Sequence, residues 1–113
     1  MIKLENTVKV FVPVNNNNGV KVDLTPEITA ALKVVGGATT YSARGSWVDN
    51  DKLYTDNMNV IQFNTMDFDK DAIRVIDKLI YAIFTKAEQL AVSVEINGTL
   101  CILESVDDIK KLF

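Results

Sequence analysis

Between Asp69 and Ala87 isoleucine recurs at helical spacing: Ile73, Ile76, Ile80, Ile83 and then Ala87 fall on one face, which Val75, Leu79 and Phe84 widen. That 3.6-residue period predicts an amphipathic helix, and Asp69 or Asp71 is placed to cap its start. So wide an apolar face has to be covered by a second packed layer. The rest of the chain offers strands for that layer.

Thr7 to Val14 alternates strictly, with Val8, Val10, Val12 and Val14 on one face and Thr7, Lys9, Phe11 and Pro13 on the other. This is a strand pattern, and Pro13 marks its end or a sheet edge. Asn15 to Gly19 is a polar loop. Thr25 then reads as an N-cap with Pro26 at the first helical position, and Ile28, Ala31, Leu32 and Val35 form one stripe that Gly36 closes. Ala38 to Val48 and Met58 to Phe63 are two more strands, joined by the polar connection Asp49 to Asp56. Ala91 to Glu104 is a hairpin turning at Asn97-Gly98. Ser105 with Asp108 suggests a capping box for a short terminal helix.

The order β-α-β-β-α-β, with one further strand and a short helix, predicts an α+β domain of the ferredoxin-like, split β-α-β type. Two helices then cover one face of an antiparallel sheet and leave the other open. A chain of 113 residues is enough for one core, so residues 1–113 form a single domain.

Composition removes several classes of function. Twelve basic and fifteen acidic residues, net −3, are spread without a basic block, which argues against nucleic acid as a partner. No apolar run approaches a membrane span or the core of a signal peptide, so no membrane partner is expected and the cytoplasm is the expected compartment. Cys101 is the single cysteine, which fits a reducing compartment and a buried structural thiol. Histidine is absent, and with it the commonest general base, the Ser-His and Cys-His pairs and imidazole metal ligands. On those grounds the chain is expected to be a binding protein without enzymatic activity, cofactor or metal.

The glycine-rich stretch VVGGATTYSARGSW, Val34 to Trp47, is not a phosphate loop. Counting four residues on from Gly36 or Gly37 meets Tyr41 or Ser42 where glycine is needed, and no lysine follows. DFDKD, Asp67 to Asp71, opens like a calcium loop but has Ala72 and Lys78 where glycine and glutamate belong. Asp49, Asp51 and Asp56 look like solvated turn residues, and Asn97-Gly98-Thr99 is a turn before it is a glycosylation sequon.

In the second strand, alternation puts Thr39, Tyr41, Ala43, Gly45 and Trp47 on one face, expected to meet the helices, and Thr40, Ser42, Arg44 and Ser46 on the other. The second set, with Lys9 and Phe11 from a neighbouring strand, forms a strip on the open sheet face suited to an anion or nucleotide. Thr40, Ser42, Arg44, Lys9 and Phe11, together with Tyr41, are the candidate ligand-binding residues. A solvated face or a subunit contact explains the strip equally well.

The segments VKVFVPV, GGATTYSARGSWVDNDKLYTDNMNVIQF and SVEINGTLCIL resemble a group of short, largely uncharacterised phage and mobile-element proteins marked by a GGAT...GxW segment. The resemblance spans Val8 to Leu103 and brings no catalytic residues with it. It implies a counter-defence factor in the host bacterial cytoplasm that inhibits immunity by sequestering a nucleotide immune signal, in a pocket between subunits of a homo-oligomer. The alternative is direct binding of a host immune protein, as anti-CRISPR proteins do, through the open face or an edge strand. A small nucleotide-degrading enzyme would have to rely on Arg44, Tyr41 and a carboxylate such as Glu95.

Overall fold

Alternation along the first strand organises the molecule. In a computed structural model that describes all 113 residues, β1 (Asn6–Pro13) buries Val8, Val10 and Val12 under the helices, each no more than 6% exposed. The elements that follow are α1 (Thr25–Val35), β2 (Ala38–Asp49), β3 (Lys52–Thr65), α2 (Lys70–Lys86), β4 (Val92–Ile96), β5 (Thr99–Leu103) and a 3₁₀ helix (Val106–Lys111). The sheet order is β2-β3-β1-β4-β5 with every neighbouring pair antiparallel. This is the expected ferredoxin-like α+β sandwich, with β5 added at one edge.

The apolar face of α2 does what its spacing predicts. Val75, Ile76, Leu79, Ile80 and Ile83 are buried against Val8, Val10, Ile61, Phe63 and Val94 of the sheet, in one continuous core. Ile73 at the margin of the stripe is only half-buried. Asp69 caps the helix by accepting the Ala72 N–H at 2.9 Å. Glu27 and Lys86 pair across the two helices.

Three local expectations change. Leu24, not Thr25, occupies the N-cap position of α1, and the Thr25 hydroxyl donates instead to Asp23 at 2.6 Å. Asp108 reaches past Ser105 and accepts the Glu104 N–H at 2.9 Å, so no capping box forms. Cys101 is half-buried at the edge of the core, not fully enclosed.

The larger change is the β2–β3 hairpin. Strand pairing continues from Ala38 opposite Phe63 out to Asp49 opposite Lys52, so most of the polar connection is strand and the turn is Asn50-Asp51 alone. Asp56 lies within β3, opposite Gly45. Because β1 pairs with β3 only from Met58 to Thr65, the distal half is a two-stranded arm. It accounts for the long axis of a molecule measuring 48 × 27 × 26 Å.

Candidate functional site

Register decides which face each candidate side chain occupies, since residues directly opposite in an antiparallel ladder project to the same side. Thr40 is opposite Ile61, which is opposite Val10, and both partners belong to the core beneath the helices. Thr40, Ser42 and Arg44 are therefore on the helix side of the sheet. Tyr41 is opposite Val60 and Val60 opposite Phe11, while Thr39, Gln62, Lys9 and Glu95 form the adjacent row. These lie on the open side.

The expected strip is thus divided. Lys9, Phe11 and Tyr41 come together on the open face, and Thr40, Ser42 and Arg44 come together on the opposite one. The expectation that Tyr41 and Trp47 face the helices is reversed, for a physical reason. β2 is an edge strand beyond the helical layer, and hardly any of it is buried on either side. Its own composition therefore holds no inside-outside contrast.

On the open face the sheet carries a polar depression of about 470 Å3, lined by Glu5, Thr7, Lys9, Gln62, Glu95 and Asn97 among others. Lys9 Nζ and Glu95 Oε2 are 3.2 Å apart, with roughly a quarter to a third of each side chain exposed. The hydrogen bond that Lys9 donates to Glu95, the charge of Glu95 and the nearby Tyr41 hold the Lys9 ammonium above the usual lysine range, so it stays charged at any physiological pH. Around the pair, Gln62 donates to Asn64 and Asn64 donates to Thr7, each at 3.0 Å. Asn97 accepts the Thr7 N–H at 2.8 Å.

Beside this polar row runs an apolar one. Val60 is 1% exposed although it lies on the open side, outside the helix-side core and in register between Phe11 and Tyr41. Leu100 and Ile102 of β5 extend the face to the sheet edge, 55% and 62% exposed. The open face therefore offers a fixed cation-anion pair next to aromatic and aliphatic surface. That combination suits a zwitterionic ligand with an apolar part.

On the helix side, a cleft of about 460 Å3 opens between β2, β3 and the start of α1. Val12, Val22, Leu24, Ile28 and Ile61 make its floor, and Lys21, Asp23, Thr25, Thr40 and Asn59 its rim. Two backbone and side-chain hydrogen bonds from Thr25 hold the Asp23 carboxyl below the usual range. The sequence reading named Thr40 here but missed Asn59, Lys21 and Asp23, as it missed Gln62 and Asn97 opposite. The alternation of Asn57, Asn59 and Ile61 against Met58, Val60 and Gln62 was the available signal, but only the register attaches it to a face.

No group of three or more histidine, cysteine, aspartate or glutamate side chains could hold a metal ion. No helix is long and apolar enough to cross a membrane.

No family model and no curated protein matches the chain. Two solved structures do. A phage SAM lyase in complex with S-methyl-5′-thioadenosine superposes with a TM-score of 0.63 at 20% identity, over 93% of this chain and 95% of that one. A phage SAM lyase in the apo state gives 0.59 at 17%, over the same shares. The expectation that such a chain is not an enzyme has to be corrected: the fold that covers nearly all of it also carries a lyase. What the likeness establishes directly is the fold, a two-layer α+β domain resembling these phage SAM lyases throughout its length.

Proposed function

We propose that the protein is a small phage-type lyase that binds S-adenosylmethionine on the open sheet face and releases S-methyl-5′-thioadenosine. The observation that carries this reading is the Lys9–Glu95 pair at 3.2 Å beside Tyr41 and Phe11, on a fold shared with a phage SAM lyase. Lys9 suits the substrate carboxylate and Glu95 the ammonium. Tyr41 and Phe11 supply aromatic surface for the adenine and for the sulfonium cation.

The chemistry fits a chain without histidine. The bond between the sulfonium sulfur and the γ-carbon of the methionine chain breaks with its electron pair on sulfur, which leaves as a neutral thioether. The substrate's own carboxylate oxygen bonds to that carbon and closes a lactone. Atoms and charge balance with no water, metal, cofactor or protein base. The protein's part is to fold the substrate so that the oxygen approaches behind the leaving sulfur and to keep water out.

A depression open on one side excludes water poorly. We therefore infer that a second copy covers the site, burying exposed Leu100 and Ile102, so that the active form is a homo-oligomer. Consumption of the methyl donor would disarm host defences that depend on it, a counter-defence role that works by cleaving a small molecule where the resemblance to phage and mobile-element proteins implied sequestering a nucleotide signal.

Incubating the purified protein with S-adenosylmethionine and separating the products by chromatography tests the reading. S-Methyl-5′-thioadenosine should accumulate catalytically, and Glu95→Gln should lower kcat/KM at least tenfold. Substrate recovered intact, or full activity in Glu95→Gln, would exclude a reaction at this pair.

A further inference from the structure

The helix-side cleft has no part in that reaction, yet it has the makings of a ligand site. Its floor is apolar and firmly held, with Val12, Leu24 and Ile61 all no more than 6% exposed. Two of its polar groups, Thr40 and Asn59, are uncommitted. On the other face Gln62 donates to Asn64 and Asn64 to Thr7, and in the cleft Asp23 is taken by Thr25, but the Thr40 hydroxyl and the Asn59 amide bond to nothing within the chain. None of the five ion pairs of the molecule involves Arg44 or Lys21, although the Lys21 charge is near enough to help hold the Asp23 carboxyl ionised.

Thr40, Asn59 and Lys21 line the cleft, and Arg44 lies just beyond its lining on the same side of the sheet. Asn59 is opposite Ser42, next to Thr40, and Arg44 is two residues farther out opposite Asn57. The Val14 N–H bonds to the Asn57 carbonyl at 3.1 Å, and Asn15 bridges to Lys21. The loop bearing Lys21 is thereby tied to the Arg44 end. Asn59, level with Ser42, stands two residues of extended chain, about 7 Å, from the level of Arg44, a gap that the ribose and phosphate of a nucleotide can bridge.

We propose that this cleft binds a nucleoside monophosphate. The base lies on the aliphatic floor with its edge on the Asn59 amide, which presents a donor and an acceptor side by side as adenine recognition requires. The phosphate lies toward Arg44 and Lys21, where a guanidinium can bind two of its oxygens at once. A cleft of about 460 Å3 is of the size that takes such a ligand. The site is separate from the open face, and it gives the chain a means of holding a nucleotide signal as well as cleaving a sulfonium.

Titration calorimetry with adenosine 5′-monophosphate, adenosine and inorganic phosphate tests the assignment. The monophosphate should bind, Arg44→Ala should weaken it at least fivefold while leaving adenosine unchanged, and Asn59→Leu should weaken both about tenfold. Lys9→Met, on the other face, should change none of these values. Circular dichroism melts of the variants confirm that each is folded, and Thr40→Val supplies a milder second probe of the base end. Absence of monophosphate binding, equal affinity in folded Arg44→Ala, or displacement of the nucleotide by S-adenosylmethionine would overturn the proposal.

Discussion

Asp77 shows how one residue can be at odds with its surroundings. It lies on the flank of α2, facing the groove against the 3₁₀ helix with Tyr81, Val106, Asp107 and Lys110, and its Oδ1 is buried without a hydrogen-bond partner. Desolvation raises its pKa above the usual carboxylate value. The folded state therefore holds the Asp77 proton more tightly than the unfolded chain does, and ionisation above that raised pKa costs stability. Asp77→Asn should raise Tm at pH 7, and the gain should shrink as pH falls and vanish below the unfolded carboxylate's range. Thermal melts of both proteins between pH 3 and 7 measure this; a gain independent of pH would mean that burial of the charge is not its cause. Residues like Asp77 are hard to read in a sequence because i, i+4 spacing gives the helix face but not what lies beside it. Asp69 is legible because a cap is local.

Among the elements, the β2–β3 hairpin departs furthest from expectation, and the reason is physical. A strand is recognised by contrast between its faces, and the distal arm has almost none, because solvent reaches both sides from Arg44 to Asn57. What holds the arm is its ladder, the Trp47–Tyr54 stack with centroids 5.7 Å apart, the Lys52 ammonium 5.2 Å from the Tyr54 ring, and the two-residue turn. Asn50 and Asp51 both adopt positive φ, 51° and 61°, as a tight hairpin turn requires. Aspartate tolerates that region less well than glycine, so Asp51→Gly should stabilise the arm by up to about 1 kcal/mol. Hydrogen exchange measures it directly: amides of the arm should exchange much faster than those of β1 and α2 in the parent, and should slow in Asp51→Gly while the body is unchanged. The strands covered by helices were legible throughout. β1, α2 and the β4–β5 hairpin lie where period and turn chemistry place them, because one face of each is buried and the other is not.

At the scale of the whole molecule, the sheet is a partition. A residue's side is set by parity from Val8, Val10 and Val12, carried across the sheet by register, and no property of β2 alone reveals it. The candidate residues were therefore legible as a set while their division into two sites was not. That division has a measurable consequence, because groups on opposite faces with no shared partner contribute independently. Lys9→Met should reduce S-adenosylmethionine cleavage and leave monophosphate binding intact, Arg44→Ala should do the reverse, and the double variant should show each loss undiminished and unamplified. If the strip were one site, as sequence alternation alone suggests, each single variant would impair both functions, and the double variant would lose less than the product of the two single effects. Measuring both activities on the same four proteins distinguishes a two-sided sheet from a single site.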